Sequence, residues 1–114
     1  MNDTDNFKIE IVGRIIVIRF RGEIDMITST QFDDFMRCNI GKYESFIIDM
    51  TFLEYFNSTG LGVILSYCKL SRIFIIPPVK KMLMNVMNLL EIGRYVILCN
   101  DMSDAFDKIK EEVV

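Results

Sequence analysis

FIIDMTFLEYFNSTGLGVIL, residues 46–65, changes its periodicity half-way along, and that change decides the fold. Its first part, with Ser45 ahead of it, is an almost wholly apolar run ending at Asp49. Such a run marks a strand covered on both faces. Thr51 to Phe56 is expected as a short loop. Asn57-Ser58-Thr59-Gly60 then supplies small side chains suited to a helix start. LGVILSYCKL, 61–70, reads as a helix that is apolar nearly all round and must pack against a sheet with little of it wet.

Toward the N-terminus, Phe7, Ile9 and Ile11 alternate with Lys8 and Glu10, the period of two of a half-buried strand. Gly13 separates them from RIIVIRF, 14–20, a second run rich in β-branched residues. Two such runs across a glycine turn predict an antiparallel hairpin. Arg21-Gly22-Glu23 is expected to close the second strand. Phe32, Phe35, Met36 and Ile40 then share one helical face, Thr28 with Gln31 has capping-box spacing, and Gly41 is the stop signal.

Toward the C-terminus, RIFIIPP, 72–78, is a fourth strand halted by Pro77 and Pro78. VKKMLMNVMNLLEI, 79–92, is a helix whose polar side carries Lys80, Lys81, Asn85, Asn88 and Glu91. YVILC, 95–99, is a fifth strand. Ala105, Phe106, Ile109 and Val113 predict a last amphipathic helix, with Ser103 as its N-cap. The order is β-β-α-β-α-β-α-β-α. A hairpin followed by right-handed crossovers gives an α/β fold with a mixed sheet of about five strands and about four helices. No linker or repeat interrupts it, so residues 1–114 read as a single domain, with residues 1–6 expected to fray.

Composition narrows the function. Apolar residues make up 51% of the chain and charged residues 25%, enough for one packed core. The 13 Lys and Arg are scattered among 16 Asp and Glu, with Lys80-Lys81 the densest spot, so nucleic acid is not an expected partner. No apolar run approaches the roughly 20 residues of a membrane span, and the polar, acidic start MNDTDNFK does not read as a signal peptide. Direct membrane insertion is not expected. Cys38, Cys68 and Cys99 lie far apart in apolar stretches, as core residues of a cytoplasmic protein do, without disulfide or zinc spacing. The chain has 0 His, which removes the usual neutral-pH base and His-dependent triads. Asp25, Asp33 and Asp34 read as solvated charges near a helix start rather than as a metal cluster. With no phosphate-binding loop and no nucleophile elbow either, the expectation is a binding module: no catalytic residues, no metal and no cofactor.

The hydroxyls at Ser58 and Thr59 are the candidates for chemistry. Gly60 and Gly62 keep that helix start open. A phosphate there would bring about −1.5 to −2 charges to a helix end that favours them. The plain alternative is that Asn57 or Ser58 merely caps the helix.

The same residues carry a resemblance. Ile47-Ile48-Asp49 followed by Asn57-Ser58-Thr59-Gly60-Leu61-Gly62 resembles the signature of STAS domains, in particular bacterial anti-sigma factor antagonists. Gly22-Glu23-Ile24-Asp25 is similar to a second element of that family. The element order agrees over essentially the whole chain. The resemblance implies a phospho-acceptor at Thr59, with Ser58 as second choice. It implies a partner-binding surface including Asp25, Asn57, Ser58, Thr59, Gly60 and Leu61. The implied partners are an anti-sigma factor that is also a serine/threonine kinase and a PP2C-type phosphatase. The unphosphorylated form would bind the anti-sigma factor and release the sigma factor, and phosphorylation would end the complex. Asn57 departs from the family, which usually has Asp there. The alternative role that the resemblance leaves open is a structural STAS subunit of a stress-signalling assembly or of a membrane lipid transporter.

A monomer or weak homodimer is expected. On the third helix Met84 falls among the polar positions and Met87 at their border; a stray surface methionine is the preferred reading, and a secondary apolar contact with a partner or second copy is the alternative.

Overall fold

The computed structural model describes residues 6–113. Strand β1 (Phe7–Val12) turns into β2 (Ile15–Ile24), followed by α1 (Met26–Asn39) and β3 (Ser45–Phe56). Then come α2 (Ser58–Tyr67), β4 (Arg72–Ile76), α3 (Lys81–Leu89), a 3-10 turn (Ile92–Arg94), β5 (Ile97–Leu98) and α4 (Met102–Val113). The five strands form one sheet in the order β1-β2-β3-β4-β5. The first pair is antiparallel and the rest are parallel, so the α/β class, the mixed sheet and the element order are as the sequence predicts. The hairpin closes over Gly13-Arg14, with Gly13 at φ +59° in the first central position, the place a type II′ turn reserves for glycine.

Each crossover moves one strand along the sheet in the same sense, which puts α1, α2 and α3 on one face. They cover Ile16, Ile18, Phe46, Ile48, Ile73 and Ile75. The alternate positions Val17, Ile47, Phe74 and Ile76 face α4. Strands buried on both sides account for the near-continuous apolar runs. Phe20 and Phe32 meet edge to face at 5.0 Å, and Phe7 lies 5.5 Å from Phe20, which fastens the hairpin to α1.

Several boundaries differ from expectation. β2 does not close at Glu23 and β3 does not end at Asp49; both run on, still paired, to Ile24 and Phe56. The Asp49 carboxylate accepts from the Thr51 amide at 3.0 Å and from the Thr51 hydroxyl, pulling the backbone out of the regular ladder. The register slips between Asp49 and Phe52 and again between Leu53 and Tyr55, where Gly22 of β2 adopts φ +71°. These bulges break the alternation that would have revealed a strand. α1 begins before the Thr28–Gln31 box, because Asp25 caps it by accepting from Thr28 N–H at 2.9 Å. Asp33 and Asp34 therefore sit in mid-helix, not at its start.

β5 is only two residues long because the N–H groups of Tyr95 and Val96 turn back to Ile92. α4 is capped by Asp101, which accepts from Asp104 N–H at 2.8 Å, and not by Ser103. Asn6 is held by its side-chain bond to Thr28 at 2.7 Å and by its carbonyl, which accepts from Arg21 N–H, so the expected fraying does not extend to it. Residues 1–5 and the Val113 side chain, part of the same expectations, lie outside the described residues. Cys99 is buried, as expected of a core thiol, but Cys38 is exposed on the outer side of α1. On α3 it is Met87 that is buried and Met84 that is half-buried, so neither is the exposed methionine that the sequence suggested.

Candidate functional site

β2 and β3 are parallel and end together, Ile24 beside Phe56, so both deliver the chain to one edge of the sheet. Each turns at once into a helix. Asp25 caps α1, and Asn57 caps α2 by accepting from Gly60 N–H at 2.9 Å. The two starts are joined. Asn57 N–H donates to the Ile24 carbonyl at 3.2 Å, and the buried Ser29 hydroxyl donates to Asn57 Oδ1, also at 3.2 Å. A Cβ on Gly60 would stand 3.2 Å from Ile24 Cγ2 and from Ser29 Oγ, so glycine permits this approach.

The far end of α2 is tied to the same helix. Tyr67 donates its O–H to the Asp33 carboxylate at 2.7 Å, and Arg37 pairs with Asp33 at 2.9 Å. The Tyr67 hydroxyl, with Arg37, holds the Asp33 carboxyl below its usual range, while burial pushes the Tyr67 phenol up. α2 is thus clamped to α1 at both ends.

Against this frame the candidate residues separate into two groups. Asp25, Ser58 and Thr59 are exposed and Asn57 is half-buried; Gly60 and Leu61 are buried. Leu61 points inward with Phe20, Phe32 and Phe56 around an apolar hollow of about 10 Å³, so it supports the edge from beneath and offers its side chain to no partner. Ser58 and Thr59 are the first two residues of α2, and neither hydroxyl has a hydrogen-bonding partner among the described residues. Their amides are among the helix-start donors that have no intrahelical acceptor. Neither α1 nor α2 has an acidic residue in its first turn. The edge therefore presents two free hydroxyls beside the positive end of the α2 dipole, while the Asp25 carboxylate already meets that of α1. Asn57 caps without charge, where a carboxylate would oppose a neighbouring anion.

Sequence reasoning missed Ser29, Tyr67 and the exposed apolar residues Met26, Ile27 and Tyr55 on this edge. Placing the α1 start three residues late hid Ser29: from Asp25 it lies one turn in, on the face toward α2. Among the described residues no group of three or more Cys, Asp or Glu side chains is placed to hold a metal ion. No helix among them is long and apolar enough to cross a membrane.

The sequence profile of the STAS domain matches residues 6–105. The chain belongs to the STAS domain family. No curated protein matches it in sequence. Its fold is similar to that of the anti-sigma factor antagonist SpoIIAA in its unphosphorylated form, with a TM-score of 0.74, 22% identity, and coverage of 91% of this STAS domain and 97% of that protein. The phosphorylated form of Bacillus SpoIIAA gives 0.72 and 23% identity, covering 90% and 98%. An anti-sigma factor antagonist from Mycobacterium paratuberculosis gives 0.80 and 16% identity, covering 92% and 93%. At these identities the likeness is one of fold, and it spans nearly the whole of each chain.

Proposed function

We propose that this STAS domain is a cytoplasmic anti-sigma factor antagonist whose docking is switched by phosphorylation of Thr59. The observation that carries the reading is the pair of exposed hydroxyls, without partners among the described residues, at the start of α2. A kinase can reach them without unfolding the helix, whose cap is made by Asn57 and not by either hydroxyl. The phosphate brings about −1.5 to −2 charges. Helix-end amides favour that charge by about 0.3–1 kcal/mol at an exposed site, so α2 keeps its place while the surface that a partner meets gains negative charge. The partner is an anti-sigma factor with serine/threonine kinase activity, and a PP2C-type phosphatase resets the switch. Asp25, Asn57, Ser58 and Thr59 form the polar part of the contact, and Met26, Ile27 and Tyr55 add apolar area.

The test is to incubate the protein with ATP and a kinase-type anti-sigma factor, then locate the modified residue by mass spectrometry. Phosphate on Thr59 is expected, with Thr59→Ala binding constitutively and Thr59→Glu losing binding by at least about tenfold. Phosphate on Ser58 would move the acceptor by one residue. Undiminished binding by Thr59→Glu together with no phosphate on either hydroxyl would overturn the switch and favour a structural STAS subunit.

A further inference from the structure

α3 buries Leu83 and Met87 against the sheet, yet Val79, Met82 and Leu89 are 76%, 70% and 82% exposed, with Val86 and Leu90 exposed beside them. Within α3, Met82, Val86 and Leu89 are spaced four and three apart, the a/d spacing of a helix seam, and Val79 stands just ahead of the extended N-cap Lys80. The stripe adjoins the buried Leu83 and Met87 and leaves Lys81, Asn85 and Asn88 on the outer flank.

We propose that this stripe is a self-association face that packs antiparallel against α3 of a second copy of the chain. The charges select that occupant. α3 opens on Lys80 without a side-chain cap, Lys81 follows, and the first turn has no acidic residue. Lysines at a helix start oppose their own helix dipole. Glu91 lies just beyond the other end and meets Arg94 at 3.6 Å, across an exposed surface where such a pair counts for little. An antiparallel two-fold pairing, symmetric about position 84, sets Met82 beside Val86 of the second copy and brings the segment at Val79, just ahead of the helix, toward Leu89. It also lays Lys80 and Lys81 along the last turn of the neighbouring helix, at the negative end of its dipole and within one turn of Glu91. Parallel pairing would set lysine against lysine. A contact of this kind uses one patch twice and closes at two copies. Five apolar side chains fall short of the roughly 800 Å² per partner of a standard interface, so the dimer belongs to the weak class. The face does not involve Thr59, and the proposal stands apart from the phosphoswitch.

Sedimentation velocity of the full chain over about a hundredfold range of concentration tests it. A monomer–dimer equilibrium is expected, with Leu89→Lys raising the dissociation constant at least about tenfold while far-UV circular dichroism and the melting temperature hold. Lys80→Glu should also weaken the dimer, and adding Glu91→Lys to it should recover at least part of the loss. A single monomeric boundary at every concentration, or a dimer indifferent to Leu89→Lys, overturns the proposal; the stripe would then serve another protein or none. A double charge variant no tighter than Lys80→Glu alone overturns the antiparallel arrangement.

Discussion

α2 and α3 begin at the same edge of the sheet, each after a parallel strand. α2 opens on Asn57, whose side chain closes its first turn and reaches across to Ser29, whereas α3 opens on Lys80 with no side-chain cap. Topology gives both helices the same place, and side chains give them different first turns. Where the first turn is closed internally, the hydroxyls of Ser58 and Thr59 are left exposed. Where it is open and carries lysines, the helix start has no side chain of its own to close it.

The comparison can be broken most severely from beneath. Phe32 joins Phe7 and Phe20 and is fully buried under the edge where α1 and α2 start. Phe32→Ala should cost about 3–5 kcal/mol in urea unfolding, whereas Leu89→Lys on the outside of α3 should stay within about 0.5 kcal/mol.

The caps themselves give a smaller and more pointed contrast. Asn57→Ala should destabilise by about 1 kcal/mol, and the loss should appear as faster exchange of the Gly60 amide. Lys80→Asp supplies α3 with the cap it lacks and should stabilise by about 0.5–1 kcal/mol. Equal effects of the two substitutions in sign would show that the two starts are not built differently.

The smallest effect is one of pH. The hydrogen bond from the Thr28 amide holds the Asp25 carboxyl below its ordinary value of 3.8. The folded state therefore takes up this proton less readily than the unfolded chain. The contribution is complete above 3.8 and is lost as pH falls through the lowered folded value. Asp25→Asn keeps a capping side chain that does not titrate. The stability advantage of the natural chain over the Asp25→Asn variant, followed by urea midpoints, should shrink across that acid window. The start of α3, with no acidic residue in its first turn, contributes no such change.

The sheet and its helices were legible because β-branched runs such as RIIVIRF and RIFII, and helical stripes such as Phe32, Phe35 and Met36, announce their periods directly. The site was legible in part. Thr59 and Asn57 lie within a motif, and capping chemistry is local. What was hidden depended on geometry that the chain does not write in a fixed period. The bulges after Asp49 disguised the end of β3. Asp25, three positions ahead of Thr28, competed with a better-looking box and won because its carboxylate reaches the Thr28 amide. Ser29 and Tyr67 matter through a helix far away in sequence. The α3 stripe was hidden because Met84 stands out among polar letters, while Met82, Val86 and Leu89 are apolar letters that read like core yet lie outside the face of Leu83 and Met87.

The order of strands across the sheet repeats their order along the chain. Such a sheet can grow at one edge while the chain is still being synthesised, each new strand adding to a neighbour already in place, with few long loops to close. The other face follows a different schedule. Val17, Ile47, Phe74 and Ile76 stay wet until residues 102–109 have emerged and α4 has docked. The nascent domain therefore passes through a stage with one side finished and the other still exposing its apolar side chains.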